Sequence, residues 1–311
     1  MELDKRNQSL FEHLLANARY SIKDLAEILK ITKAGVIKRL RFLENNGYIM
    51  RYDAIINWQK LPFIKKVYFI KSNIPEKDLE KELTSQTPVF SLISQHGLYN
   101  YQIWCFFKTK KQSLEFEKIL RNFDYESIDV NELVFPRVSF FDMPIKFPSQ
   151  RFEEKKVSLS QIDISIMKHM ANGHGRESFF EMSRKLKIPY DSVHYHAKNI
   201  LNSGYFMAII AQPGTNKLTL QTTCLLIKCK TRKSAENLYT KLKSIKHILS
   251  DAIGKENKVL VHFTSKSHLE YQESLSEIFS TINRKEIENI IIAHWKNVIL
   301  NNRYPLEYLI E

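Results

Sequence analysis

Four cations, Lys33, Lys38, Arg41 and Arg51, are the side chains whose type and spacing point most directly to chemistry. Lysines and arginines on one outer face neutralise the phosphates of a duplex and release its condensed counterions. Thr32, Lys33, Ala34 and Ile37 stand at the start of the same stretch, where a helix in a major groove reaches base edges. Lys38, Arg41 and Arg51 stand further along, where contacts to phosphate are expected. An offset of 157 residues carries Lys33, Ile37 and Arg41 onto Tyr190, His194 and Lys198, and the same, less basic second stretch also offers Ser192. Any solvated helix pair shows outward lysines, so the repetition matters more than either copy alone.

The histidines offer ligating chemistry. His169, His174, His194 and His196 cluster in the second half of the chain. His194 and His196 are two apart on a helix, so their rings diverge by about 200°. Neither paired cysteines nor clustered acids complete a tetrahedral set, and no metal or other cofactor is expected. Cys105, Cys224 and Cys229 lie in strand-like apolar runs and fit no disulfide framework, as in a reducing, cytoplasmic setting. Cys224 and Cys229 are an odd number of residues apart and face opposite sides of a strand.

The elements that must position the cations are two helices with a tight turn, Ser21–Tyr48. Ser21 is an N-cap, and Leu25, Ile28 and Leu29 make one apolar face. Ile31 and Thr32 break the first helix, and Thr32 caps the next. The second buries Val36, Ile37, Leu40 and Leu43, turns Lys33, Lys38, Arg39 and Arg41 outward, and stops at Asn46-Gly47. The following Tyr48–Ile56 is β-prone, as a wing is. An amphipathic helix over Leu3–Asn17 completes a three-helix core. Superposed without gaps, Arg19 falls on Arg176, Ser21 on Ser178, Val36 on Val193 and Gly47-Tyr48 on Gly204-Tyr205. Such a repeat implies a duplicated unit.

Residues 65–145 read strand, helix, strand, strand, helix, strand, the ferredoxin-like split βαβ order, and the order recurs after residue 218. Helices cover one face of such a sheet, and the other needs a partner. Pro144–Lys156 carries two of its prolines among polar residues and reads as a linker. The expected organisation is a winged helix-turn-helix at 1–60, a ferredoxin-like module at 61–146, a linker at 147–157, a second winged unit at 158–214, a second ferredoxin-like module at 215–300 and a tail at 301–311. The fold class is α+β, with tandem winged helix-turn-helix and βαββαβ (RAM-type) modules about a pseudo-twofold.

The 311 residues carry a formal net charge of +13, which favours a polyanionic partner. Residues 1–60 hold 11 basic and 7 acidic side chains, against 12 and 11 in residues 61–150. The first helical unit is therefore richer in positive charge than the segment after it, but the C-terminal half shows a weaker contrast, and charge alone does not localise the contact. No apolar run approaches the roughly 20 residues of a membrane span, and the N-terminus lacks the apolar core of a signal peptide.

The pattern resembles the Lrp/AsnC (feast/famine) transcriptional regulators. The residues that carry the likeness are Leu3, Asp4, Asn7 and Leu10, then Arg19 and Ser21, then Arg39, Leu40, Leu43, Glu44, Gly47, Tyr48 and Ile49. The second copy keeps Leu159, Asp163, Ile166, Arg176, Ser178, Gly204 and Tyr205, but has His196-Ala197-Lys198-Asn199-Ile200-Leu201 where the family has R-L-x-x-L-E. The resemblance implies a sequence-specific regulator that binds double-stranded DNA through its winged units. It also implies a ligand-sensing module that packs sheet against sheet with a second copy, here within one polypeptide, and it allows homo-oligomers. The family's effector turn, G-x-[YF]-D, falls on Gly97, Tyr99 and Asn100 and on Gly254, which implies an amino-acid-like effector. In both turns Asn replaces the carboxylate, which would accept more strongly from an ammonium group. Gly and Asn also suit a hairpin for backbone reasons.

Two alternatives stand beside this reading. The double-module architecture is similar to that of siroheme decarboxylases, and Tyr99–Trp104 echoes that class. A non-specific architectural DNA-binding protein would differ by a low specificity ratio.

Overall fold

The computed structural model describes residues 3–57, 60–84, 88–134, 159–214, 221–242, 245, 248–254, 256–300 and 306. The expected linker, and the expected tail apart from Leu306, lie outside the described residues. In chain order the first half forms α1 (Lys5–Ala16), α2 (Ile22–Leu29), α3 (Lys33–Asn45), β1 (Ile49–Ile56), β2 (Ile64–Lys71), α4 (Glu76–Thr84), β3 (Val89–Gly97), β4 (Tyr101–Phe107), α5 (Lys110–Leu120) and β5 (Asp124–Val134). The second half forms α6 (Gln161–Ala171), α7 (Phe179–Leu186), α8 (Tyr190–Asn202), β6 (Phe206–Pro213), β7 (Gln221–Cys229), α9 (Arg232–Leu242), β8 (Ile248–Gly254), β9 (Lys258–Ser265), α10 (His268–Thr281) and β10 (Ile287–Leu300). These elements gather into two compact units, one from the helical segments of both halves with β1 and β6, the other from the two βαββαβ segments.

In the helical unit, apolar side chains spaced at helical periods meet in two small cores. Leu10, Leu14, Leu25, Val36 and Leu43 are fully buried in one half, and Ile166, Met170, Met182 and Val193 in the other. The expected wing takes a different form. β1 pairs antiparallel with β6, so each half supplies one strand of a shared ribbon. Asp53 lies opposite Ile210, its own counterpart at the offset of 157, and the pseudo-twofold passes through that pair. Flanking bonds obey the same symmetry. The N–H of Ala18 donates to Ile209 O at 2.7 Å, and that of Gly175 donates to Tyr52 O at 2.8 Å. Arg19 reaches the carbonyls of Gly175 and Glu177, and Arg176 those of Ala18 and Tyr20. Burial lowers the pKa of both guanidinium groups. Two arginines thus close the backbone accounting at the seam, where unpaired buried carbonyls would be costly.

In the other unit the strands close into a barrel, in the order β10-β3-β4-β2-β5-β8-β9-β7, with every neighbouring pair antiparallel. Each half keeps its own four-stranded sheet. Outward side chains, Tyr68, Leu92, Ile103 and Phe107 in one half and Leu225, Ile227, Val261 and Phe263 in the other, form a core with that half's helices. The inner faces meet each other: Trp104 lies 5.9 Å from His262 and His262 lies 5.2 Å from Trp295, ring centre to ring centre. The expected sheet-against-sheet clasp is therefore accompanied by edge pairing, β3 with β10 and β5 with β8. The final strand accounts for one seam. It runs on to Leu300, and Asn297, Val298 and Leu300 pair with Ser94, Ile93 and Leu92. Closure leaves no open edge in the ring.

Candidate nucleic-acid interface

The helix that carries the cations is fixed at both ends by local chemistry. Ser21 and Asp24 form a reciprocal capping box on α2, at 3.1 and 3.0 Å. Lys30 ends α2 in the left-handed conformation, φ 52°, and Lys187 repeats this in the second half at φ 56°. The break therefore falls one residue earlier than the Ile31-Thr32 expected. Thr32 accepts from the N–H of Gly35 at 3.1 Å and starts α3. Gly47, φ 71°, and Gly204, φ 76°, take the left-handed turn after the second helix of each pair.

Thr32, Lys33, Ala34, Ile37, Lys38 and Arg41 are all exposed on α3, and they make a continuous outer face. Ile37, expected both in the core and near base edges, is 39% exposed and belongs to the outer face. Arg39 departs from expectation. Its Nη1 donates to both Asp4 carboxylate oxygens at 2.8 Å and to Asn7 Oδ1 at 2.9 Å, tying α3 to the start of α1. The Asp4 carboxyl is held below the usual carboxylate range by Arg39, with the Asn7 N–H assisting. Arg51 lies in the β1–β6 ribbon, exposed, and its Nε donates to buried Asp53 at 3.0 Å.

On α8 the same face carries different chemistry. Tyr190, His194 and Lys198 occupy the positions of Lys33, Ile37 and Arg41. Tyr190 and His194 stack with ring centres 5.7 Å apart at an interplanar angle of 12°. Ser192 is half-buried where the first half has Gly35, and Lys198 is exposed. His196 stands where Arg39 does, and its Nδ1 donates to Asp163 at 2.8 Å. The residue types differ, but each half joins its second helix-turn-helix helix to a carboxylate near the start of its first helix.

The expected effector residues have other employment in the barrel unit. Asn100 accepts from Ser72 N at 2.9 Å and donates to Ser72 O at 2.7 Å, so its amide locks the end of β2. Tyr99 is buried. Gly97 and Gly254 mark the two seams, paired with Ala293 of β10 and Val130 of β5. A Cβ on Gly97 would stand 2.7 Å from Ile292 O. One on Gly254 would collide with Ile128 Cγ1. Their recurrence at a fixed offset thus has a packing cause that a lone sequence does not reveal.

Across the barrel interior, Trp295 Nε1 donates to Gln102 Oε1 at 3.3 Å, and the Gln102 amide lies 3.1 Å from His262 Nε2. Burial pushes His262 down to about 3. Lys258 closes the rim. It donates to Glu126 and Glu256 and to Ser127 O, and the two carboxylates outweigh the burial that opposes its charge.

Residues 3–50 match the winged helix-turn-helix DNA-binding family. The chain is 29% identical over 102 residues to an uncharacterized HTH-type transcriptional regulator of Pyrococcus horikoshii, a match covering 32% of this chain and 68% of that one. A second such regulator of the same organism is 21% identical over 126 residues, covering 40% and 85%. In three dimensions the chain is similar to the siroheme decarboxylase NirDL, with a TM-score of 0.62 over 98% of both chains. At 10% identity that likeness concerns the fold alone. No helix among the described residues is long and apolar enough to cross a membrane. The N-terminal segment thus matches a winged helix-turn-helix DNA-binding family, the sequence relatives are HTH-type transcriptional regulators, and the helix-turn-helix plan is written twice in the chain.

Proposed function

We propose that the protein is a sequence-specific regulator that binds double-stranded DNA through the outer faces of α3 and α8, one chain standing in for a dimer. The observation that carries this reading is the α3 face, where Lys33, Ile37, Lys38 and Arg41 are exposed together on a helix capped at both ends. Lys33, Ala34 and Ile37, in the first turns, face base edges, and Lys38 and Arg41 hold phosphates. Arg51 is committed to Asp53 and is left out of the phosphate set. On α8 the stacked Tyr190–His194 pair offers apolar surface and ring nitrogens instead of charge, with Lys198 as its phosphate contact. The two halves therefore read unlike half-sites. Selection of bound duplexes by the full chain, followed by salt titration, tests this. A non-palindromic site is expected, and Arg41→Ala should lower the slope of log K against log salt by about 1 for any sequence. An unchanged slope would remove Arg41 from the phosphate set. Equal affinity for selected and random duplexes would replace specific regulation with architectural binding.

The whole-chain likeness to NirDL supports a second reading, a tetrapyrrole enzyme. Its discriminator is direct: addition of an iron porphyrin to the purified protein would shift the porphyrin absorption band on binding, and the substrate would release CO2. Effector binding at Gly97, Tyr99, Asn100 and Gly254 is not included in the proposal, because the seams take Gly97 and Gly254, Ser72 takes the Asn100 amide, and Tyr99 is buried.

A further inference from the structure

We infer that His169, His174 and Glu177 form a site for one divalent transition-metal ion of the zinc class, on the turn that docks the second winged half against the first. One donor atom from each of the three side chains lies within 4.8 Å of the other two. His169 Nε2 donates to Glu177 Oε2 at 2.9 Å, and His174 Nδ1 donates to Oε1 at 2.7 Å. The two rings are stacked, 4.3 Å between centres and 11° from parallel. Lys185 Nζ also donates to Glu177 Oε1 and places a positive charge against the same carboxylate. Three N–H groups thus converge on one acceptor. A divalent ion would take their place, the two ring protons moving to the opposite nitrogens and Lys185 turning to solvent.

The donor set is two imidazoles and one carboxylate, the ligands of zinc and the late first-row metals, not of calcium or magnesium, which take oxygen. Metal–ligand bonds of about 2.0–2.2 Å put the donors of a tetrahedral ion roughly 3.4 Å apart. Rotations of the three side chains bridge the difference from the observed spacing. The backbone beneath them is held on both sides. Gly175 N–H donates to Tyr52 O, His174 bridges Tyr52, and Glu177 O accepts from Arg19. The His169 and Glu177 side chains are 10% and 19% exposed, while that of His174 is 40% exposed and opens the cluster to solvent.

Symmetry supplies a control within the molecule. At the offset of 157, the first half carries Glu12, Asn17, Tyr20 and Ile28 where the second carries His169, His174, Glu177 and Lys185. The same fold and the same docking bonds form there with no histidine at any of these four positions, so the architecture does not require the cluster. From the sequence, His169 and His174 suggest ligands, but the spacing hid their acid, Glu177, which comes round only when the turn folds back over α6.

The test uses the full chain after chelator treatment, titrated with Zn2+ by calorimetry and with Co2+ by visible absorption. One equivalent of Co2+ should give d–d bands that Zn2+ abolishes, and Zn2+ should raise Tm. His169→Gln and His174→Asn should each weaken binding at least about tenfold, while His194→Asn, outside the cluster, should leave it unchanged. Circular dichroism checks that each variant folds, and the more exposed His174 carries the test if His169→Gln does not. No saturable Zn2+ binding, or binding that survives the double substitution of both histidines, would overturn the inference.

Discussion

Arg39 and His196 occupy equivalent places and do equivalent work with different groups. Each reaches from the second helix-turn-helix helix to a carboxylate near the start of its own three-helix core, Asp4 or Asp163. Arg39→Ala should therefore cost stability, about 1 kcal/mol given the partly exposed pair, and leave the salt slope of duplex binding unchanged. Arg41→Ala should do the reverse, and urea unfolding with salt titration separates the two. The sequence marked both arginines as outward cations. Nothing local distinguishes them, because the partner of Arg39 lies 35 residues away. His262 supports a prediction of a different kind. Its folded pKa is pushed by burial to about 3, below the roughly 6.5 of an unfolded histidine. Between those values the unfolded chain binds the extra proton, so stability is full above about pH 6.5 and falls as the pH drops. From pH 7.5 to 5 the loss should be roughly 2 kcal/mol. His262→Gln, which can keep a bond to Gln102, should flatten that part of the urea-midpoint profile. Parallel profiles for the two proteins would reject the assignment.

At the scale of elements, the legible part was what depends on neighbours in sequence. Capping residues, helical period and strand alternation located the helices and strands to within a few residues, because those signals act over one or two turns. Three features were not legible. The β1–β6 ribbon, the barrel seams and the last five residues of β10 all depend on strand edges from opposite halves. Edge pairing uses backbone groups that every residue has, so composition carries little trace of it. The seam glycines are visible in the sequence, where a hairpin turn explains them as well as a seam does. Gly97→Ala would place a methyl against Ile292 O in a backbone conformation that L side chains rarely adopt. A loss of about 1–3 kcal/mol is expected in urea unfolding. A smaller change would mean that the β3–β10 seam yields.

Across the whole molecule, duplication has kept the frame and changed the faces. The ribbon bonds, the docking arginines and the capping boxes at Ser21 and Ser178 recur at one offset, while the outer faces of α3 and α8 share little chemistry. The proposed duplex contacts should be correspondingly lopsided. Replacing Lys38 and Arg41 together by Ala should lower the salt slope by about 2, and Lys198→Ala by about 1. Equal losses would mean that the aromatic face of α8 is not what contacts DNA.

Asp53, buried opposite Ile210 on the symmetry axis, has a consequence for self-association. In a homodimer of the first half, that register would set the carboxylate across from its own twin, and like charges directly opposed in a buried ribbon are destabilising. Within one chain the pair need not be self-complementary: the acid on the axis meets isoleucine, not a second acid. Each half therefore needs the other's differences as much as its likeness.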